Sequence, residues 1–200
     1  MNEKSRNAYN SKADSYDSSH EGKFTYNIHQ LLLPKLSYEE NQSVLDIACG
    51  TGSLLSAING QKRIKGYGID VAERMISKAV VKNPDMEFHV SGCESTPFPD
   101  KSMDLVTVCA AYHHFFDVTS FAKEAYRILK SNGMIYIADV YIQSSFLRTI
   151  LNPFVPLLFK NGDVKFYSPK EIIKNFKFFG FKEKDVQISG NIQIISMQKT

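Results

Sequence analysis

The sequence predicts an α/β fold: a seven-stranded, mostly parallel sheet with an antiparallel last strand, helices on both faces, N-terminal helices and a helical cap insertion. Three observations carry this. Apolar runs of strand length alternate with segments of helical period between residues 43 and 140, the mark of a parallel sheet covered by helices. The first run, Val44 to Ala48, ends in a turn of small residues and passes straight into Ser53-Leu54-Leu55-Ser56-Ala57-Ile58, a strand–turn–helix joint of the nucleotide-binding type. Two late runs, 181–188 and 192–197, flank Ser189-Gly190-Asn191, and so short a turn makes only an antiparallel hairpin.

Taken in order, residues 1–20 are polar, with Tyr9, Ala13 and Tyr16 spaced to share one helical face. Phe24, Ile28, Leu31 and Leu32 mark a second helix that Pro34 ends. These two helices, within residues 1–36, pack on the core or close over the site as a lid, with Tyr16 reaching the ligand. The segment from Arg63 to Asp70 is a second strand ending in an acid, and Ala72 to Val81 is a helix stopped by Asn83-Pro84. Met86 to Val90 alternates as a third strand, Ser91 to Ser102 is a loop, and Asp104 to Ala110 is an apolar fourth strand. Phe121, Ala125, Ile128 and Leu129 mark a helix ending near Asn132-Gly133, and Met134 to Ala138 is a fifth strand with Asp139 just past it. An apolar cluster from Phe146 to Phe159, within a cap at 141–167, precedes a helix over 169–179 and the closing hairpin of segment 168–200. The cap is too short and too broken by Pro153 and Pro156 to span a membrane. It either packs on the sheet or roofs the substrate site, where it would favour an apolar or aromatic acceptor.

Composition narrows the function classes. With 200 residues, 43% of them hydrophobic and 22% charged, the chain suits one globular domain. A net charge of +3, spread along the chain, does not suggest a nucleic-acid partner. The segment Met1 to Arg6 has no apolar core of a secretory signal. The three cysteines, Cys49, Cys93 and Cys109, form neither a zinc pattern nor a disulfide framework, so a cytoplasmic location is expected.

Right-handed crossovers bring the C-terminal ends of the parallel strands to one edge. Asp46, Asp70, Gly92-Cys93, Cys109-Ala110 and Asp139 all fall at or near such ends, where open α/β sheets bind ligands. An acid inside an apolar strand, as Asp46 is, demands a polar partner.

Val44-Leu45-Asp46-Ile47-Ala48-Cys49-Gly50-Thr51-Gly52 is similar to the first motif of class I S-adenosylmethionine-dependent methyltransferases, and Gly68-Ile69-Asp70 resembles their second-strand acid. The stretch from Pro97 to Val106, and Arg127-Ile128-Leu129-Lys130-Ser131-Asn132-Gly133, resemble the ubiquinone/menaquinone-biosynthesis-like small-molecule branch. The resemblance covers about residues 40–140 and implies a Rossmann-like core with S-adenosyl-L-methionine as cofactor. It implies that Asp46 and the turn Ala48-Cys49-Gly50 with Gly52 hold the methionine portion. Asp70 would take both ribose hydroxyls, Val71 and Met75 would border the adenine, and Cys93 would meet its edge. Cys109 would lie near the methionine amino group. Gly92 stands where the branch usually has an adenine-binding acid, with Glu94 as a substitute.

The expected activity is in-line methyl transfer to a small-molecule acceptor, which the protein serves mainly by alignment and exclusion of water. Where the acceptor must lose a proton, the candidate bases are His113, His114 and Asp139; adjacent histidines alone make a poor metal site, so no metal is expected. The alternatives are a non-catalytic module that binds S-adenosylmethionine or S-adenosylhomocysteine, and an NAD-dependent oxidoreductase, whose Gly-x-Gly-x-x-Gly turn is absent.

Overall fold

In the computed structural model, which describes residues 3–200, the strands are β1 (Ser43–Ile47), β2 (Lys65–Asp70), β3 (Glu87–Val90), β4 (Met103–Cys109), β5 (Leu129–Val140), β6 (Phe181–Ser189) and β7 (Ile192–Lys199). They form one seven-stranded sheet in the order β3-β2-β1-β4-β5-β7-β6. The pairs among β1 to β5 are parallel, and β7 runs antiparallel to both β5 and β6. The one reversed strand is therefore interior, and β6 is the edge.

The helices are α1 (Glu3–Lys12), α2 (His20–Leu32), α3 (Ser53–Gln61), α4 (Glu73–Lys82), α5 (Val118–Ile128), α6 (Ser145–Leu151), α7 (Val155–Leu158) and α8 (Pro169–Phe178). Side chains alternate across each central strand, so one apolar run feeds two cores. Leu45, Val106, Ile135 and Ile195 pack with Phe121, Ile128, Ile172 and Phe176 of α5 and α8. Val44, Leu105, Tyr136 and Ile194 pack with Ile28, Leu32, Leu54 and Ile58 of α2 and α3. Helix starts follow local chemistry. Ser19 caps α2, Asp117 caps α5, and Ser168 with Glu171 forms a capping box at α8.

The structure departs from the sequence expectation in three places. The strand expected at Met134 begins at Leu129, because fully buried Leu129 pairs with Met103 instead of extending the helix. The expected Asn132-Gly133 stop is a bulge, with Asn132 at φ 64° and the register shifting between Met103 and Leu105. Tyr9, Ala13 and Tyr16 do not share one helix, since α1 ends at Lys12 and Tyr16 opens a 3-10 turn. All three nevertheless cluster on Ala72 and Met75. The cap is a pair of short helices whose apolar side chains face outward: Phe146 is 71% exposed and Leu157 82%, while Val155 is buried. Residues 1 and 2 of the expected N-terminal segment lie outside the described residues. No helix among the described residues is long and apolar enough to cross a membrane.

Candidate cofactor site

A cavity of about 590 Å³ opens over the C-terminal ends of β1, β2 and β4. Its floor is built by strand ends and the turns after them, including Asp46, Ala48, Gly50, Asp70, Cys109 and His114. Its other wall comes from the N-terminal helices, with Tyr9, Tyr16, Tyr26 and His29. That size suits a small cofactor held in a largely preformed cleft.

Two buried carboxylates dominate the floor. Asp46 Oδ1 accepts a hydrogen bond from Thr107 Oγ1 at 2.7 Å, and the residue is 3% exposed. Burial pushes its carboxyl up to about 7, with the nearby Asp70 adding to the shift and the Thr107 bond opposing it. Asp70 ends β2 and is 7% exposed. Its Oδ2 accepts from the Gly50 N–H at 3.0 Å and its Oδ1 from the Ala72 N–H at 2.9 Å. Burial raises this carboxyl too, against the pull of those N–H groups. Each oxygen keeps a second lone pair, so Asp70 can still take two donors from a diol.

The turn after β1 explains its own sequence. Ala48 sits at φ 57° and Gly50 at φ 53°, both left-handed. A Cβ at Gly50 would meet nothing, which leaves its backbone open to a ligand. Gly52, also left-handed, serves packing: a Cβ there would lie 2.7 Å from Asn83 Nδ2.

The cavity thus brings together Tyr16, Asp46, Ala48, Cys49, Gly50, Asp70, Met75 and Cys109 from the expected residues. Gly52, Val71, Gly92, Cys93, Glu94 and His113 do not line it. Val71 and Gly92 border a separate shallow groove with Glu3 and Arg6. A Cβ on Gly92 would come within 2.8 Å of Glu94 Oε2, so that carboxylate covers the Gly92 backbone. Cys93 is packed in the core, 1% exposed. Burial raises all three thiols, which makes them poor nucleophiles.

Of the two histidines, His114 faces the cavity and His113 stands behind it. His113 Nδ1 lies 2.6 Å from Asp139 Oδ1, and its backbone N–H donates to Asp139 Oδ2 at 2.9 Å. Residue order alone did not reveal Tyr26 and His29 as wall residues. Their signal was present in α2: both lie on its polar side, three positions apart, opposite Leu31.

The N-terminal segment is fastened to α4 and to the turn after β1. Arg6 pairs with Glu73, Asn10 Nδ2 donates to Glu73 at 2.7 Å, Arg74 pairs with Asp14, and Lys78 pairs with Asp14 at 2.8 Å. Asp17 accepts from Lys82 at 2.6 Å and from Thr51 at 2.7 Å.

Known proteins match this core. Residues 45–137 match the family described as Methyltransferase domain. A demethylmenaquinone methyltransferase of Chlorobaculum parvum is 34% identical over 104 residues, covering 52% of this chain and 43% of that protein. One from Thermotoga maritima is 29% identical over 163 residues, covering 70% of each. The chain spans about half the length of the Chlorobaculum relatives it matches. Among solved structures, a chain from the complex between the Haloferax volcanii Trm112 methyltransferase activator and a putative methyltransferase superposes with a TM-score of 0.81. It is 19% identical, with 95% of this chain and 96% of that one covered, a likeness of fold.

The sheet order is that of a Rossmann-like methyltransferase fold, and the stretch that carries both strand-end acids is the one that matches the methyltransferase domain. The residues fit S-adenosyl-L-methionine, the cofactor that the resemblance implies. Asp46 is a buried acid with one side-chain partner and room above it for a cation, and Asp70 has acceptor capacity left for a ribose diol.

Proposed function

We propose that the protein transfers a methyl group from S-adenosyl-L-methionine to a small apolar or aromatic acceptor by in-line displacement. The observation that carries this is the pair of buried carboxylates, Asp46 and Asp70, side by side under a cavity walled by aromatic side chains. The bound cofactor supplies an already activated methyl group. The chain's work is then to hold the cofactor, align the acceptor and exclude water. Asp46 faces the methionine ammonium, Asp70 the ribose hydroxyls, and Met75 borders the adenine. The open Gly50 backbone follows the methionine portion.

Tyr9, Tyr16 and Tyr26 line the wall opposite the strand ends, a surface suited to a flat ring. Relatives named for demethylmenaquinone and ubiquinone/menaquinone methylation support a reduced quinone ring as the acceptor class. The residues at 1–36 act as a lid, fastened by the contacts to α4 described above. The cap at 141–167 contributes no side chain to the cavity wall among the described residues; it borders the acceptor's entrance through Asn161, which accepts from Lys12 Nζ at 2.7 Å. With every cysteine free and buried, we place the protein in the reducing cytoplasm.

Calorimetric titration with S-adenosylhomocysteine tests the cofactor reading. Asp70→Ala is expected to weaken binding about 100-fold, the loss of charge-assisted hydrogen bonds worth roughly 1.5–3 kcal/mol each. No heat from the wild type, or equal affinity in the variant, overturns it. Turnover of a quinol panel, read as S-adenosylhomocysteine release, separates an enzyme from a non-catalytic module.

A further inference from the structure

The polar cluster after β4 contains groups that methyl transfer leaves unused. His113 and His114 lie in the 3-10 turn Tyr112–His114, and Asp163 lies in the cap after α7. One ligand atom from each of the three lies within 4.8 Å of the other two, and all three residues are buried. We propose that His113, His114 and Asp163 form a binding site for one divalent cation of the Zn²⁺ kind, with a fourth position open to the cavity.

Distance is the first argument. His113 Nε2 lies 3.4 Å from Asp163 Oδ1, beyond the roughly 2.7–3.2 Å of an N–H···O hydrogen bond. Metal–ligand bonds of about 2.0–2.1 Å in a tetrahedral shell put neighbouring ligand atoms about 3.3–3.4 Å apart. The pair therefore has the spacing of two ligands around one ion.

Unused atoms are the second. His114 Nδ1 and Asp163 Oδ2 are buried with no hydrogen-bond partner. The backbone of Gly162, the residue before Asp163, also bears on the His114 ring. Buried polar groups are rarely left in this state, and an unplaced ion is one standard reason.

The third argument is orientation. Asp139 takes the Nδ1 side of His113 at 2.6 Å, and with the proton on Nδ1 the Nε2 lone pair points toward Asp163. Tyr9 Oη lies 3.0 Å from His114 Nε2, which leaves Nδ1 for the ion. A carboxylate or other partner on the far nitrogen is the usual support of a metal-bound histidine.

The composition of the pocket agrees: two carboxylates, Asp139 and Asp163, lie against the His113 ring in a buried setting, where a cation is a fitting companion. Two histidines, one carboxylate and an open position match catalytic zinc sites. His114 lines the cavity, so the open position faces it. If the methyl-transfer reading holds, that position would take a ring hydroxyl as its oxyanion, the hydroxyl proton passing to solvent as the cation lowers its pKa.

The test uses the untagged, chelator-stripped protein and Co²⁺ alone, read by its visible absorption. One equivalent is expected to saturate a tetrahedral-type band that Zn²⁺ then bleaches. Asp163→Asn and His114→Gln, checked for folding by circular dichroism, are expected to weaken Co²⁺ binding at least about 100-fold. Asp139→Asn is expected to weaken it about 10-fold or more. No stoichiometric band, or equal affinity in Asp163→Asn, overturns the site. Should the variants not fold, anomalous diffraction from wild-type crystals grown with ZnCl₂ decides: a peak among the three side chains supports the site and its absence overturns it. Neither readout needs cofactor or acceptor, so failure here leaves the methyl-transfer reading standing, and the reverse.

Discussion

The Tyr9 hydroxyl lies 3.0 Å from Nε2 of His114, a contact between residues 105 positions apart. Their rings meet edge to face with centroids 5.6 Å apart. The first helix is thereby joined to the turn after β4, so the N-terminal segment is a wall of the cavity. The ion pairs that hold the same segment to α4 are exposed, and each is worth no more than about 1 kcal/mol.

Tyr9→Phe removes one hydrogen bond and is expected to speed S-adenosylhomocysteine release about 3- to 10-fold, the equivalent of about 0.5–1.5 kcal/mol. Raising salt should speed it further by screening the pairs to α4. Stopped-flow release kinetics check this; a rate insensitive to both would remove the lid role.

Cofactor binding should carry the titration of Asp46. Its carboxyl, pushed up to about 7 by burial, is protonated in the free protein at lower pH, whereas an ammonium above it requires the ionised form. Affinity is expected to fall up to about tenfold per pH unit below 7. Because the folded value lies above the unfolded one, the stability Asp46 gives the free protein is full below about 3.9 and is lost as pH rises through 7. Calorimetry between pH 6 and 8 checks the slope, which Asp46→Asn should flatten.

His29 sets an acid limit on the fold. Burial in α2 lowers its imidazole to about 4. The unfolded chain, near 6.5, binds the proton first, so stability is complete above about 6.5 and is lost as pH falls toward 4, by up to about 3 kcal/mol. Thermal unfolding across pH 4–7 should show this limb, and His29→Leu should shrink it.

Ala48→Gly is expected to stabilise the protein by about 0.5–1 kcal/mol. An L-residue in the left-handed region costs roughly 1–2 kcal/mol, partly offset by the greater freedom of Gly in the unfolded chain. Ala48 sits there at φ 57°, as does Ala110 at φ 54° after β4. Urea unfolding of the single and double variants measures the gain; a loss would mean that the Ala48 methyl carries packing that outweighs the strain.

Much of the fold was readable because a strand buried on both faces must be an apolar run, and β1, β4 and β5 are such runs. Asp46 and Asp70 stood out for the converse reason, as acids where apolar residues belong. The His113–Asp163 proximity was not readable: the two are fifty positions apart, the stretch between them runs through a cap without simple periodicity, and only the packed chain brings Asp163 back. At Gly52, ligand approach and packing against Asn83 ask for the same residue, so the sequence alone does not separate the two. The start of β5 was misplaced because Leu129 satisfies the helical period of α5 and the pairing with Met103 equally well.

The placement of β7 between β5 and β6 has a consequence for synthesis. β7, which is made after β6, is the strand that ties β6 to the rest of the sheet. Until it emerges, β6 has no neighbour, and the apolar flank of β5 stays bare beside it. A chain lacking β7 would therefore lose two strands of the sheet rather than one, and nascent chains in which β7 has not yet emerged would depend most on chaperones.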